Sequence, residues 1–124
     1  MVVGLGCDVV EIERIAKSIS KESFLRHAYT AKEQEMSGGK ASFYADNFAV
    51  KEAVSKCFGT GFRGFELKDI EVLRDSMGKP YVNLYKGAKI IAEKMKIDNI
   101  FVTISNTDTL SMACAVAEKS ENST

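Results

Sequence analysis

Lys51 and Glu52 stand side by side in the run Phe48-Ala-Val-Lys-Glu-Ala-Val-Ser-Lys56, which leads into Gly59-Thr60-Gly61. On a helix, at about 100° per residue, Val50, Ala53, Val54, Cys57 and Phe58 form one apolar stripe. Lys51, Glu52, Ser55 and Lys56 then share the other side, within an arc of about 140°. Two lysines and bare glycine backbone suit an anion, and Glu52 is a carboxylate that can hold a metal ion. The plainer alternative is a solvated face with a Glu52–Lys56 pair at i, i+4, contributing about 0.3 kcal/mol.

Asp8 supplies a second carboxylate. It is expected at the end of a short strand, Val2 to Cys7, whose other residues are apolar or glycine. There it would serve as a cap for the helix beginning near Glu11, or as a ligand. Mg2+ takes one or two protein carboxylates and lets phosphate oxygens and waters complete its octahedron. Asp8 and Glu52, beside Lys51, Lys56 and the Gly-Thr-Gly turn, therefore make a candidate site for Mg2+ and a pyrophosphate.

The elements that must position these residues read as follows. After the first strand, Ile12, Ile15, Ala16 and Ile19 recur at helical spacing, and Ser23 to His27 continues as a short helical piece. Thr30-Ala-Lys-Glu33 has the form of a capping box, so a helix starts near Ala31. Gly38-Gly39 breaks it, and a long helix runs from about Ala41 to Phe58. Strands are expected at Ile70 to Leu73 and Tyr81 to Leu84, joined by the turn Asp75-Ser-Met-Gly78. Lys86 to Met95 is helical in pattern. Ile100 to Ile104 and Leu110 to Val116 form a hairpin around Ser105-Asn-Thr-Asp-Thr109. The fold class is α+β with a mostly antiparallel sheet, in one domain over residues 1–118 followed by a polar tail, 119–124.

Composition excludes several classes. The chain has 124 residues, 45% of them apolar, and formal net charge zero, so no global field selects nucleic acid or membrane. No apolar run approaches a membrane span. An acid at position 8 and no basic leader argue against a secretory signal. Cys7, Cys57 and Cys114 are odd in number, widely separated and set among apolar neighbours. That pattern predicts reduced, buried thiols and a cytoplasmic location. Gly4-Leu-Gly6 lacks the third glycine of a dinucleotide fingerprint, because position 9 is Val. Gly38-Gly39-Lys40 lacks the earlier glycine of a P-loop, because position 34 is Gln. His27, the single histidine, is expected at a helix C-terminus, where a cation is favoured.

In Gly4-Leu-Gly-Cys-Asp8-Val-Val-Glu-Ile-Glu-Arg14, Phe48 to Lys56 and Gly59-Thr-Gly61, the sequence resembles the holo-acyl-carrier-protein synthases, the short 4'-phosphopantetheinyl transferases. Weaker matches are Gly78-Lys-Pro80 and Thr103-Ile-Ser105. The resemblance implies transfer of phosphopantetheine from coenzyme A to a serine of apo-acyl carrier protein, releasing adenosine 3',5'-bisphosphate. It implies Asp8 and Glu52 as Mg2+ ligands, Lys56 on the pyrophosphate, and Gly59-Thr60-Gly61 along the coenzyme. Lys51, Asn47, Ser105, Asn106 and Thr107 are expected around the rest of the coenzyme. Glu52, directly or through a water, is the candidate acceptor of the serine proton. A homotrimer with sites between subunits is also implied. Arg14, Lys17 and Lys21, at i, i+3 and i+7, with Arg26 beyond, form a basic row suited to an acidic carrier helix; such a row is otherwise solvated surface.

Two positions depart from the family pattern: Asn47 stands where Arg is usual, and Asn106 where His is usual. Both are expected near the 3'-phosphate, so its recognition should be weakened, with Lys40 restoring part of it. The rival reading is a non-catalytic coenzyme A-binding or carrier-binding subunit, and a second is a structural oligomer whose polar helix face makes only subunit contacts.

Overall fold

A computed structural model describes residues 1–60 and 63–120. The elements run β1 (Val2–Glu11), α1 (Ile12–Ser18), α2 (Glu22–Ala28), α3 (Ala31–Ser37), α4 (Ala41–Phe58), a 3-10 turn (Leu67–Asp69), β2 (Ile70–Arg74), β3 (Pro80–Leu84), α5 (Lys86–Lys94), β4 (Asn99–Asn106) and β5 (Leu110–Glu118). Two antiparallel sheets result, β1-β5-β4 and the hairpin β2-β3. The α+β expectation holds.

Local chemistry fixes the helix ends. Thr30 caps α3 through a reciprocal box: its Oγ1 accepts from the Glu33 amide at 3.3 Å, and its own amide donates to Glu33 Oε1 at 3.1 Å. Gly38 and Gly59 then take the left-handed conformation that ends α3 and α4.

Helix α4 lies across the three-stranded sheet on a bed of small residues. Ser111, Ala113, Ala115 and Ala117 of β5 point toward it and are buried. On β1, a Cβ at Gly6 would overlap the Ala53 carbonyl, and one at Gly4 would overlap that of Cys57. The Gly-Leu-Gly motif thus serves close helix–strand packing. The core gathers Val50, Ala53, Val54 and Cys57 of α4 with Val10, Ile15, Ile70, Val72 and the β5 alanines.

Strand β1 continues four residues past the expected end at Cys7, because β5 keeps pairing with it as far as Glu11. Asp8 therefore lies mid-strand opposite Ala113, and the first helix has no side-chain cap. The expectation of buried thiols holds for Cys57 alone. Cys7 is exposed and Cys114 half-buried, because both point to the sheet face away from α4.

Candidate active site

Alternation along β1 puts Gly4, Gly6, Asp8 and Val10 on the face toward α4. The glycines admit the helix, and Asp8 meets its exposed edge. There Lys56 Nζ donates to the Cys7 carbonyl at 2.7 Å and lies 3.3 Å from Asp8 Oδ1. Half of the Lys56 side chain is exposed, 52%, against 21% for Asp8.

Glu52, half-buried one turn before Lys56, joins them. Its carboxyl is held above the ordinary range, first by burial and then by the charge of Asp8, while Lys56 and Arg14 pull it partly back. Asp8, Glu52, Lys56 and Arg14 thus form one electrostatic cluster from β1, α4 and α1. Among the described residues no third carboxylate, Cys or His joins to make a larger metal-binding group.

Lys51 turns elsewhere, which corrects its assignment to the coenzyme. Its side chain is wholly buried against Glu33. The ammonium donates to Glu33 Oε1 at 2.8 Å, to the Leu67 carbonyl at 3.2 Å and to the Ile70 carbonyl. Burial lowers its proton affinity, and Glu33 opposes that shift. Ser55 is buried too. The polar arc is therefore split: Lys51 and Ser55 lie inside, Glu52 and Lys56 at the edge.

Asn47 is corrected for the same reason. It is fully buried, its amide donating to Glu33 Oε2 at 2.9 Å and to the Val72 carbonyl at 3.0 Å. Its Oδ1 accepts from Arg74 Nη2 at 2.9 Å, and that guanidinium stacks on Phe43. Asn106 is exposed, but its amide lies 3.0 Å from both oxygens of Asp46, which also accepts from Ser111. In the sequence Glu33 shows only as a cap, and Asp46 and Arg74 carry no signal. Their partners are 14 to 65 residues away, and no local pattern announces them.

Ser105 and Thr107 face the far side of the sheet, where with Val9, Asn106, Leu110 and Met112 they line a cavity of about 260 Å³. One chain thus does not unite them with Asp8 and Glu52. Gly59 and Thr60 follow α4 at the surface, and Gly61 lies outside the described residues. Arg14, Lys17, Lys21 and Arg26 are all exposed, although Lys21 falls beyond α1, at the start of α2. Lys17, Ser18, Lys21 and Phe24 line a depression of about 230 Å³. His27 sits in the last turn of α2, 3.8 Å from Glu66.

The sequence and the fold match a known transferase class. Residues 4–115 fit the model of the 4'-phosphopantetheinyl transferase superfamily, and the chain belongs to it; it is a transferase. It is 47% identical over 118 residues to the holo-[acyl-carrier-protein] synthase of Lachnoclostridium phytofermentans, covering 95% of this chain and 97% of that protein. Its fold is similar to the holo-ACP-synthase of Plasmodium yoelii, with TM-score 0.86, 30% identity and 98% of each chain covered. The holo-(acyl-carrier-protein) synthase of Bacillus anthracis, solved in complex with CoA (3',5'-ADP), superposes with TM-score 0.80 at 31% identity, covering 97% of this chain and 99% of that one.

Proposed function

We propose that the protein moves the 4'-phosphopantetheine arm of coenzyme A onto a serine of apo-acyl carrier protein, leaving adenosine 3',5'-bisphosphate. The observation that carries this is the convergence of Asp8, Glu52 and Lys56 at one exposed edge of α4 in a chain of this superfamily. The names of its relatives and the coenzyme complex of the Bacillus anthracis protein support it.

The donor set fits Mg2+. Two half-buried carboxylates, with Asp8 raising the proton affinity of Glu52, offer hard oxygen ligands that Lys56 and Arg14 offset only in part. Asp8 and Glu52 would hold the ion, which when bound offsets charge on the pyrophosphate oxygens. Lys56 neutralises the same charge from the side. A bond forms from the serine oxygen to the β-phosphorus while the bond to the leaving phosphate breaks. The serine proton passes to Glu52, directly or through a water that Glu52 orients.

Arg14, Lys17, Lys21 and Arg26 present a cationic surface to an acidic carrier. Arg14 is near enough to Glu52 to influence its charge, which puts carrier docking beside the chemistry. Because Ser105, Asn106 and Thr107 line a cavity partly on the other sheet face, we read the working form as a homotrimer with sites between subunits. One domain, residues 1–118, and a cytoplasmic setting complete the reading.

Mass spectrometry of apo-carrier incubated with coenzyme A and Mg2+ tests it. The carrier should gain the phosphopantetheine mass, and lose that gain with chelator or with Asp8→Ala. A carrier left unmodified by the wild-type protein would reject the transferase reading and leave the binding-subunit and structural-oligomer ones. With Asn47 buried, Asn106 alone carries the expected weakening of the 3'-phosphate contact; paired kinetics with dephospho-coenzyme A test it, and a strong preference for the phosphorylated form rejects it.

A further inference from the structure

We propose that Lys51 is a positioning residue: tethered to Glu33 and to two backbone carbonyls, it fixes the rotation of α4 so that Glu52 presents its carboxylate beside Asp8. The inference rests on reading Asp8 and Glu52 as ligands of a divalent cation.

An ammonium has three donors. Lys51 directs its nitrogen to three acceptors: Glu33 on α3, Leu67 in the 3-10 turn and Ile70 on β2. Saturated and wholly buried, it has nothing to offer a ligand. One turn earlier on the same side, Asn47 ties α4 to the other Glu33 oxygen and to the Val72 carbonyl. Helix α4 is thus held along one side at two points spaced i, i+4. The Gly4 and Gly6 contacts hold the side toward β1.

Apolar side chains filling the Lys51 site would stabilise the fold as well or better, but they would slide. Directed bonds to fixed carbonyls do not. Glu52 follows Lys51 by a single residue, about 100° around the axis, so its direction is set by the same anchor. A rotation of about 20° moves a side-chain oxygen lying about 6 Å from the axis by about 2 Å. Mg2+ demands near-ideal octahedral geometry at about 2.1 Å and does not tolerate that error. The same anchor fixes Leu67, where the chain returns after the glycine-bearing loop that follows α4.

Mn2+ binding, followed by electron paramagnetic resonance in the presence of coenzyme A, provides a readout separate from turnover. Four proteins are compared: wild type, Glu52→Gln, the charge-neutral double variant Glu33→Gln/Lys51→Met, and Lys51→Arg. A cooperative thermal transition certifies each as folded. The double variant should bind Mn2+ about 10-fold or more weakly, and its half-saturating Mg2+ in turnover should rise in parallel, with KM for apo-carrier unchanged. If the double variant fails to fold, Lys51→Arg decides: it keeps the charge opposite Glu33 but not the ammonium's three bonds, and it should lose about threefold in Mn2+ affinity, wild-type affinity there overturning the positioning role. A folded double variant that binds Mn2+ like wild type, while Glu52→Gln has lost it, overturns the positioning role alone. Wild-type Mn2+ binding by Glu52→Gln overturns the cation site and this inference together.

Discussion

Lys56 Nζ holds the Cys7 carbonyl and approaches Asp8, yet half of its side chain stays in solvent. A cation so placed is fixed by the strand and still open to an incoming phosphate. Lys56→Met should lower kcat by about 100-fold, the usual loss for one removed charge-stabilising donor. Carrier KM should hold, because the proposed docking cations Arg14, Lys17, Lys21 and Arg26 are untouched; a change confined to carrier KM would remove Lys56 from the chemistry. Glu71 offers a separate test, of stability. Burial alone would raise its proton affinity, but hydrogen bonds from Thr30, Asn83 and Tyr85 outweigh that and hold it below the ordinary value of 4.5. A lowered folded-state value contributes stability above that ordinary value, and the contribution is lost as pH falls through the folded one. Tyr85→Phe removes one donor, costs about 1 kcal/mol near neutral pH and should move acid unfolding to higher pH. Circular dichroism during acid titration reads the midpoint, and an unmoved or lowered midpoint counts against this account.

Helix α4 and strand β1 set the distance across which Asp8 and Glu52 face each other, and glycine sets how close they come. At Gly6 even one methyl group would meet the Ala53 carbonyl, which is backbone and cannot turn aside. Gly6→Ala should destabilise by about 2 kcal/mol, measured in a denaturant melt, and should weaken Mg2+ activation in the protein that remains folded. A neutral effect would mean that α4 has room to retreat. The sequence disclosed the helix itself very well. Its bounds, Ala41 and Phe58, follow from periodicity and from Gly59, and the capping box of α3 was legible in four residues. The hairpin of β4 and β5 was equally plain, because its alternation survives folding. What periodicity could not say is how many neighbours the helix has. A helix packed on one side buries one stripe, but α4 also meets α3 and β2, so twelve of its 18 residues are buried, Lys51 and Asn47 among them. Their partners, Glu33 and the carbonyls of Leu67, Ile70 and Val72, are distant in the chain, and a carbonyl leaves no mark in a sequence. Asp8, Glu52 and Lys56 were legible as a group because two carboxylates and a lysine near a glycine turn suit one chemistry, and the resemblance added their order and spacing.

Among the described residues, one broad face of the three-stranded sheet carries no covering element. Leu5 and Val9 of β1, Phe101 of β4 and Met112 of β5 point that way, with relative exposures of 70%, 55%, 52% and 39%. A contiguous apolar face of this kind calls for a cover. The cavity beside Ser105 and Thr107 opens on it, while Asp8 and Glu52 lie toward α4. In the proposed cyclic trimer, unlike surfaces of neighbouring copies meet, so the proposed coenzyme surface of one subunit can face the carboxylates of the next. This arrangement makes a quantitative demand. Asp8→Ala should inactivate its own carboxylate cluster, and Ser105→Asp should repel coenzyme phosphate from its own cavity. Each variant alone should be nearly inactive. Co-expressed in equal amounts and assembled at random, they should regain about one quarter of wild-type activity, since each interface draws an intact half from either neighbour with even odds. Sedimentation would first establish that the mixed trimers form. If they form and no activity returns, all the catalytic groups act within a single chain, and the open sheet face has some other use.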